Sequence, residues 1–140
     1  MKPLQILAEK YNLVHQESAG GPVINANGNK IWYNDNREPH RLDGPAIEWD
    51  DGSKEWWVNG KPHRLDGPAI EGANGGHKEW FVNGKRHRLD GPAIEYANGA
   101  KAWYIDDIHY TEKGFNRYLK AVKARQDILN KDNPGIEMDI

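Results

Sequence analysis

One nine-residue string, HRLDGPAIE, occurs three times without a change, at residues 40–48, 63–71 and 87–95. The copies are offset by 23 and 24 residues. A unit this short cannot bury an apolar face alone, so the chain must gain its core by stacking each unit on the next. Between the copies the pattern runs on as a Gly-containing turn, an aromatic pair and an Asn-Gly: WDDGSKEWWVNGKP, then GANGGHKEWFVNGKR, then YANGAKAWYIDDI. A degenerate copy precedes them, with Gly21-Pro22-Val23-Ile24 standing 23 residues before Gly44-Pro45-Ala46-Ile47. The chain therefore reads as mainly β, an array of stacked antiparallel β-hairpins in about four units.

Each unit reads as one hairpin and a connecting turn. The first strand is the stretch from Ala46 to Trp49 and its equivalents. Asp51-Gly52, Asn74-Gly75 and Asn98-Gly99 are dipeptides that tolerate positive φ and close tight turns. The second strand carries Glu55-Trp56-Trp57-Val58, Glu79-Trp80-Phe81-Val82 and Ala102-Trp103-Tyr104-Ile105, residues that suit a pleated surface. Asn59-Gly60 and Asn83-Gly84 turn the chain again. Two strands per unit advance the array by roughly 10 Å, so equivalent residues recur at that spacing.

Open sheet edges need caps. Residues 3–15 place Leu4, Leu7, Tyr11 and Val14 at helical spacing. Residues 112–129 do the same with Phe115, Tyr118, Leu119, Val122 and Leu129, behind Thr111 as N-cap. One domain is expected: an N-terminal helix over 1–16, an array over 17–110 (units 17–39, 40–62, 63–86 and 87–110), a C-terminal helix over 111–130 and a flexible tail over 131–140. The edges also leave the array open to self-association.

The units resemble MORN-like repeats, in which aromatic–Asn-Gly and a following Gly alternate along stacked hairpins. The HRLDGPA cores are similar to those of the HRxDGPA-type repeat proteins found mainly in phage genomes, over about residues 21–110. The resemblance implies a non-enzymatic platform that binds protein, phage-encoded and antagonising a host factor such as a defence system or a toxin, in the host cytoplasm. The degenerate first unit and the terminal helices depart from that pattern.

The chemistry-bearing residues fit a binding role. The chain has no cysteine, so thiol catalysis and thiolate metal sites are excluded. Its 19 basic and 21 acidic residues are interspersed, which disfavours nucleic acid and anionic membranes as partners. The opening residues carry Glu9 and lack a long apolar run, so no signal peptide is expected, and nothing approaches a membrane span. His40, His63 and His87 stand at equivalent positions roughly 10 Å apart, too far to share a metal ion. No metal, no cofactor and no enzymatic activity are expected. Asp43, Asp66 and Asp90 are expected to close Asx-type turns or to pair with Arg41, Arg64 and Arg88, and the His rings to stack on neighbouring aromatics.

Trp32, Trp56, Trp80 and Trp103 recur where a unit must bury area against its neighbour, and read as core. The next aromatic position points to the opposite face. Trp57, Phe81 and Tyr104 are therefore the candidate contact row, with Arg41, Arg64 and Arg88 as a second candidate stripe. Two alternatives to protein binding are a nucleic-acid or nucleotide binder using these aromatic and Arg rows, and a structural or assembly component.

Overall fold

The computed structural model describes residues 20–133. The expected helix over 1–16, the start of the first unit and most of the expected tail lie outside the described residues. Thirteen short strands and one helix follow in chain order. They are β1 (Val23–Ile24), β2 (Lys30–Ile31), β3 (Ile47–Glu48), β4 (Lys54–Glu55), β5 (Trp57–Val58), β6 (Lys61–Pro62) and β7 (Ile70–Glu71). After these come β8 (Lys78–Glu79), β9 (Phe81–Val82), β10 (Lys85–Arg86), β11 (Ile94–Glu95), β12 (Lys101–Ile105), β13 (Ile108–Tyr110) and α1 (Glu112–Asp132).

Nine strands form one antiparallel sheet in the order β1-β2-β3-β4-β7-β8-β11-β12-β13. The register aligns its side chains into rows. One row runs Lys30, Glu48, Lys54, Glu71, Lys78, Glu95, Lys101, so each Glu lies between two Lys. Opposite charges facing each other across strands contribute about 0.2–1 kcal/mol per pair. A one-residue slip would turn this row to the other face, so it pins the register. The adjacent row runs Ile31, Ile47, Glu55, Ile70, Glu79, Ile94, Ala102. By strand alternation it lies on the opposite face.

The tryptophans end each pass through this sheet. Trp32, Trp56 and Trp80 donate their backbone N–H to Ala46, Ala69 and Ala93, while their carbonyls accept from His40, His63 and His87. The result is an alternation of Trp and Ala across the strands. The three alanines are fully buried. A small residue between two indoles lets the large rings lie side by side without strain.

Beyond Trp32, Trp56 and Trp80 the chain leaves the long sheet, so the expected single hairpin is there two; in the last unit β12 runs on through Trp103 and pairs with β13 in the same sheet. β5 pairs with β6 and β9 with β10 as separate small ladders. In the first unit this second hairpin is reduced to a bridge between Tyr33 and Pro39. The two hairpin types use different turns. Asn59-Gly60 and Asn83-Gly84 take positive φ at both positions (48° and 77°, 50° and 82°), the geometry that matches strand twist in a two-residue loop. At the other end only the glycine of Asp51-Gly52 and Asn98-Gly99 is left-handed. The unit with the 24-residue offset absorbs its extra residue here, in a 3₁₀ turn over Ala73–Gly75, and β7 and β8 keep the common register.

At the C-terminal end α1 packs on β12 and β13 through Phe115, which is buried. Thr111 caps it, its hydroxyl accepting from the Gly114 N–H at 3.0 Å. The helix runs two residues past the expected boundary and takes in Lys131 and Asp132 of the expected tail.

Candidate interaction surface

The HRLDGPAIE string can be read atom by atom. Arg41, Arg64 and Arg88 lie flat over the indoles of Trp32, Trp56 and Trp80, with the guanidinium carbon 3.8–3.9 Å from the ring centroid. Each Nε donates to the Asp of its own unit, Asp43, Asp66 or Asp90, at 2.9–3.0 Å. Each Nη1 donates to the carbonyl of Pro45, Pro68 or Pro92. In the second and third copies it also reaches Glu71 at 3.0 Å and Glu95 at 3.2 Å. The glycine has a steric reason. A Cβ on Gly67 would stand 2.9 Å from the Arg64 guanidinium carbon, and one on Gly91 equally close to Arg88.

This arrangement answers the expectation of an Arg contact stripe. The arginines are tied into their own repeats, their side chains 19–22% exposed. Each guanidinium is accompanied by two carboxylates, one Asp and one Glu. The local field therefore does not favour a phosphate or any other anion.

The HRLD histidines are hydrogen-bonded to the backbone. His40, His63 and His87 accept through Nδ1 from the backbone N–H of Asn59, Asn83 and Asp106, at 2.9, 2.8 and 3.2 Å. Those donors lie in the turn of the following hairpin, so each imidazole joins two successive hairpins. His63 is buried, and loss of solvation lowers its pKa to about 4.

The opposite face carries the exposed aromatics. Trp57 is half-buried, and its indole N–H donates to Glu55 Oε2 at 2.8 Å. Tyr104 is half-buried and tilted against His109, with ring centroids 5.1 Å apart. Phe81 is only 9% exposed. The row Trp57–Phe81–Tyr104 thus lacks an accessible centre, and the Arg86 guanidinium lies 5.4 Å from the Phe81 ring centroid.

A second aromatic row on this face is more open. Trp49 is 37% exposed and Tyr96 43%. Both are held in place. The Trp49 indole donates to Glu55 Oε1 at 2.9 Å, so one carboxylate fixes two tryptophans. Tyr96 tilts against His77 with centroids 5.4 Å apart, and His77 Nε2 lies 2.6 Å from Glu79 Oε1. Gly72 occupies the position of Trp49 and Tyr96 in the middle repeat, where a Cβ would stand 3.0 Å from the His77 backbone nitrogen. The spacing contained this row: in Pro-Ala-Ile-Glu-Trp, residue 49 shares a face with Ile47. Trp49 reads as a strand end, and only its exposure separates it from core.

Among the described residues no group of three or more His, Asp or Glu is placed to hold a metal ion, and no helix is long and apolar enough to cross a membrane. Comparison with known proteins finds no matching family model, no matching curated protein and no matching solved structure.

Proposed function

We propose that this chain is a non-enzymatic, protein-binding platform whose contact surface is the face bearing Trp49, Trp57, His77 and Tyr96. The observation that carries this reading is the pairing of exposure with restraint. Trp49 and Tyr96 are the most accessible indole and phenol of this face, and each is oriented by a neighbour that is itself hydrogen-bonded. Aromatics held this way lose little side-chain freedom on binding, and they dominate the energetics of protein interfaces. The likeness of the HRLDGPA cores to phage-borne repeat proteins supports a host protein of a defence or toxin system as the partner.

The test places a photo-crosslinking residue at position 49 and, separately, at Lys54 on the other face. Crosslinks to one protein from position 49 alone are expected. The double variant Trp49→Ala with Tyr96→Ala should then weaken binding of that protein by about 2 kcal/mol or more, roughly 30-fold. Unchanged binding in that variant, with loss on substitution of Lys54, would remove this face from consideration.

A further inference from the structure

Two glutamates occupy the same position of the two central repeats, Glu55 on β4 and Glu79 on β8, where the outer repeats have Ile31 and Ala102. Both are flanked across the strands by isoleucines, Ile47 and Ile70 beside Glu55, Ile70 and Ile94 beside Glu79. Each carboxylate meets two donors, but of different kinds. Glu79 accepts from Arg86 Nε at 3.1 Å on one oxygen and lies 2.6 Å from His77 Nε2 on the other. The Arg86 guanidinium in turn lies 5.4 and 5.6 Å from the ring centroids of Phe81 and Tyr104. Carboxylate, guanidinium and two aromatic rings thus form a closed set within the chain.

Glu55 accepts from indoles, Trp49 on Oε1 at 2.9 Å and Trp57 on Oε2 at 2.8 Å. Among the described residues no Lys, Arg or His forms an ion pair with it. The difference lies at one position of the repeat. Arg86 faces Phe81 across β9 and β10, whereas the residue that faces Trp57 across β5 and β6 is Pro62. Lys54, the nearest lysine in sequence, belongs to the other face, between Glu48 and Glu71.

An indole N–H satisfies a lone pair and brings no charge. The half-buried Glu55 carboxylate therefore keeps a negative charge among isoleucines, a setting in which a cation beside it is favoured. A carboxylate has about four lone-pair sites, so two indole bonds leave room for further donors. We propose, resting on the reading of this face as the contact surface, that Glu55 with Trp49 and Trp57 is a socket for an arginine side chain of the partner protein. Its groups are those that hold Arg86 in the next repeat: a carboxylate flanked by aromatic rings. Arginine suits it better than lysine, because a planar guanidinium can donate twice to a carboxylate and still lie against a ring. Asp50 and Asp51, exposed at the tip beside Trp49, add negative charge to the approach.

NMR titration of the whole chain with N-acetyl-arginine methylamide reads the socket through the indole N–H resonances of the six tryptophans. The expected result is a saturable shift at Trp49 and Trp57. Trp32, Trp56 and Trp80, which lie under the chain's own arginines, should not move. The citrulline counterpart of the probe, which keeps the shape and lacks the charge, should bind about 10-fold more weakly or worse. Glu55→Gln should abolish the saturable shift, with the three unmoved resonances reporting that the fold persists. Pro62→Arg, which gives Glu55 the internal cation that Glu79 has, should compete with the probe and weaken its binding. Equal shifts from the citrulline compound, or a saturable shift that persists in Glu55→Gln, would overturn the proposal. So would a protein crosslinked from position 49 whose affinity falls in the Trp49→Ala, Tyr96→Ala variant and is unchanged in Glu55→Gln; that result would leave the contact face in place without the socket.

Discussion

Arg64, like Arg88, holds its own repeat to the tryptophan of the preceding one. It stacks on Trp56, donates to Asp66, Glu71 and the Pro68 carbonyl, and lies against the Cα of Gly67. Asp66 is 68% exposed and its bond is close to a surface ion pair in value, whereas Glu71 and the Pro68 carbonyl are partly buried and their bonds keep more of theirs. Arg64→Ala should destabilise the protein by about 2 kcal/mol, measured by denaturant unfolding. Arg64→Lys should recover little of this, because an ammonium cannot lie flat on the indole while donating in three directions. Gly67→Ala tests the same packing from the other side. The added methyl should displace the guanidinium and cost about 1–2 kcal/mol, whereas an effect under a few tenths would mean that the arginine moves aside freely. At this scale the residues of the repeat were unequally legible. The Arg–Asp pairing of HRLD follows from opposite charges two positions apart. The role of the histidine does not, because its partner is a backbone N–H some twenty residues away, and backbone donors leave no trace in side-chain identity.

The turns show how elements tolerate or resist their local sequence. Asn59-Gly60 and Asn83-Gly84 meet the demand for positive φ with residues that adopt it cheaply. In the first unit the corresponding loop is one residue longer, and Arg37 takes the left-handed position at φ 60°. A side chain with a Cβ is strained there. Arg37→Gly should therefore stabilise the protein by about 0.5–1 kcal/mol, read as a shift of the unfolding midpoint at constant slope. No change would mean that the arginine side chain offsets the strain. The aromatic strand was the element hardest to read in advance. Glu-Trp-Trp-Val has the composition of one continuous strand, yet Trp56 hydrogen-bonds in two directions and divides it. Nothing in the propensities of neighbouring tryptophans marks that division; it arises because Pro62 and His63 fold back beside it.

For the molecule as a whole, stability is passed from neighbour to neighbour. Trp80 lies between Ala69 and Ala93, with Arg88 above it, and has a complete repeat on either side. Trp32 lies in the first repeat, where β1 is the last strand of the sheet among the described residues and both its residues, Val23 and Ile24, are exposed. Trp80→Ala should cost about 3–5 kcal/mol and Trp32→Ala distinctly less. Chemical denaturation of both variants would decide the matter, and equal losses would mean that the array unfolds without regard to position. The hairpin array and the C-terminal helix were legible because periodicity and capping are written in residue types. Within the candidate row the burial of Phe81 was not legible, since Phe81 and Tyr96 are equally aromatic and differ in exposure alone, 9% against 43%.

The 3₁₀ turn over Ala73–Gly75 has a consequence for how such a chain can change over time. It takes up one surplus residue at the tip of a hairpin while the Lys–Glu row on either side keeps step. The tips at this end of the sheet therefore form a margin where length can drift without penalty to the strands. Insertions there would be inherited as new loops beside Trp49 and Tyr96, so successive homologous arrays could diversify what they hold while sharing one scaffold.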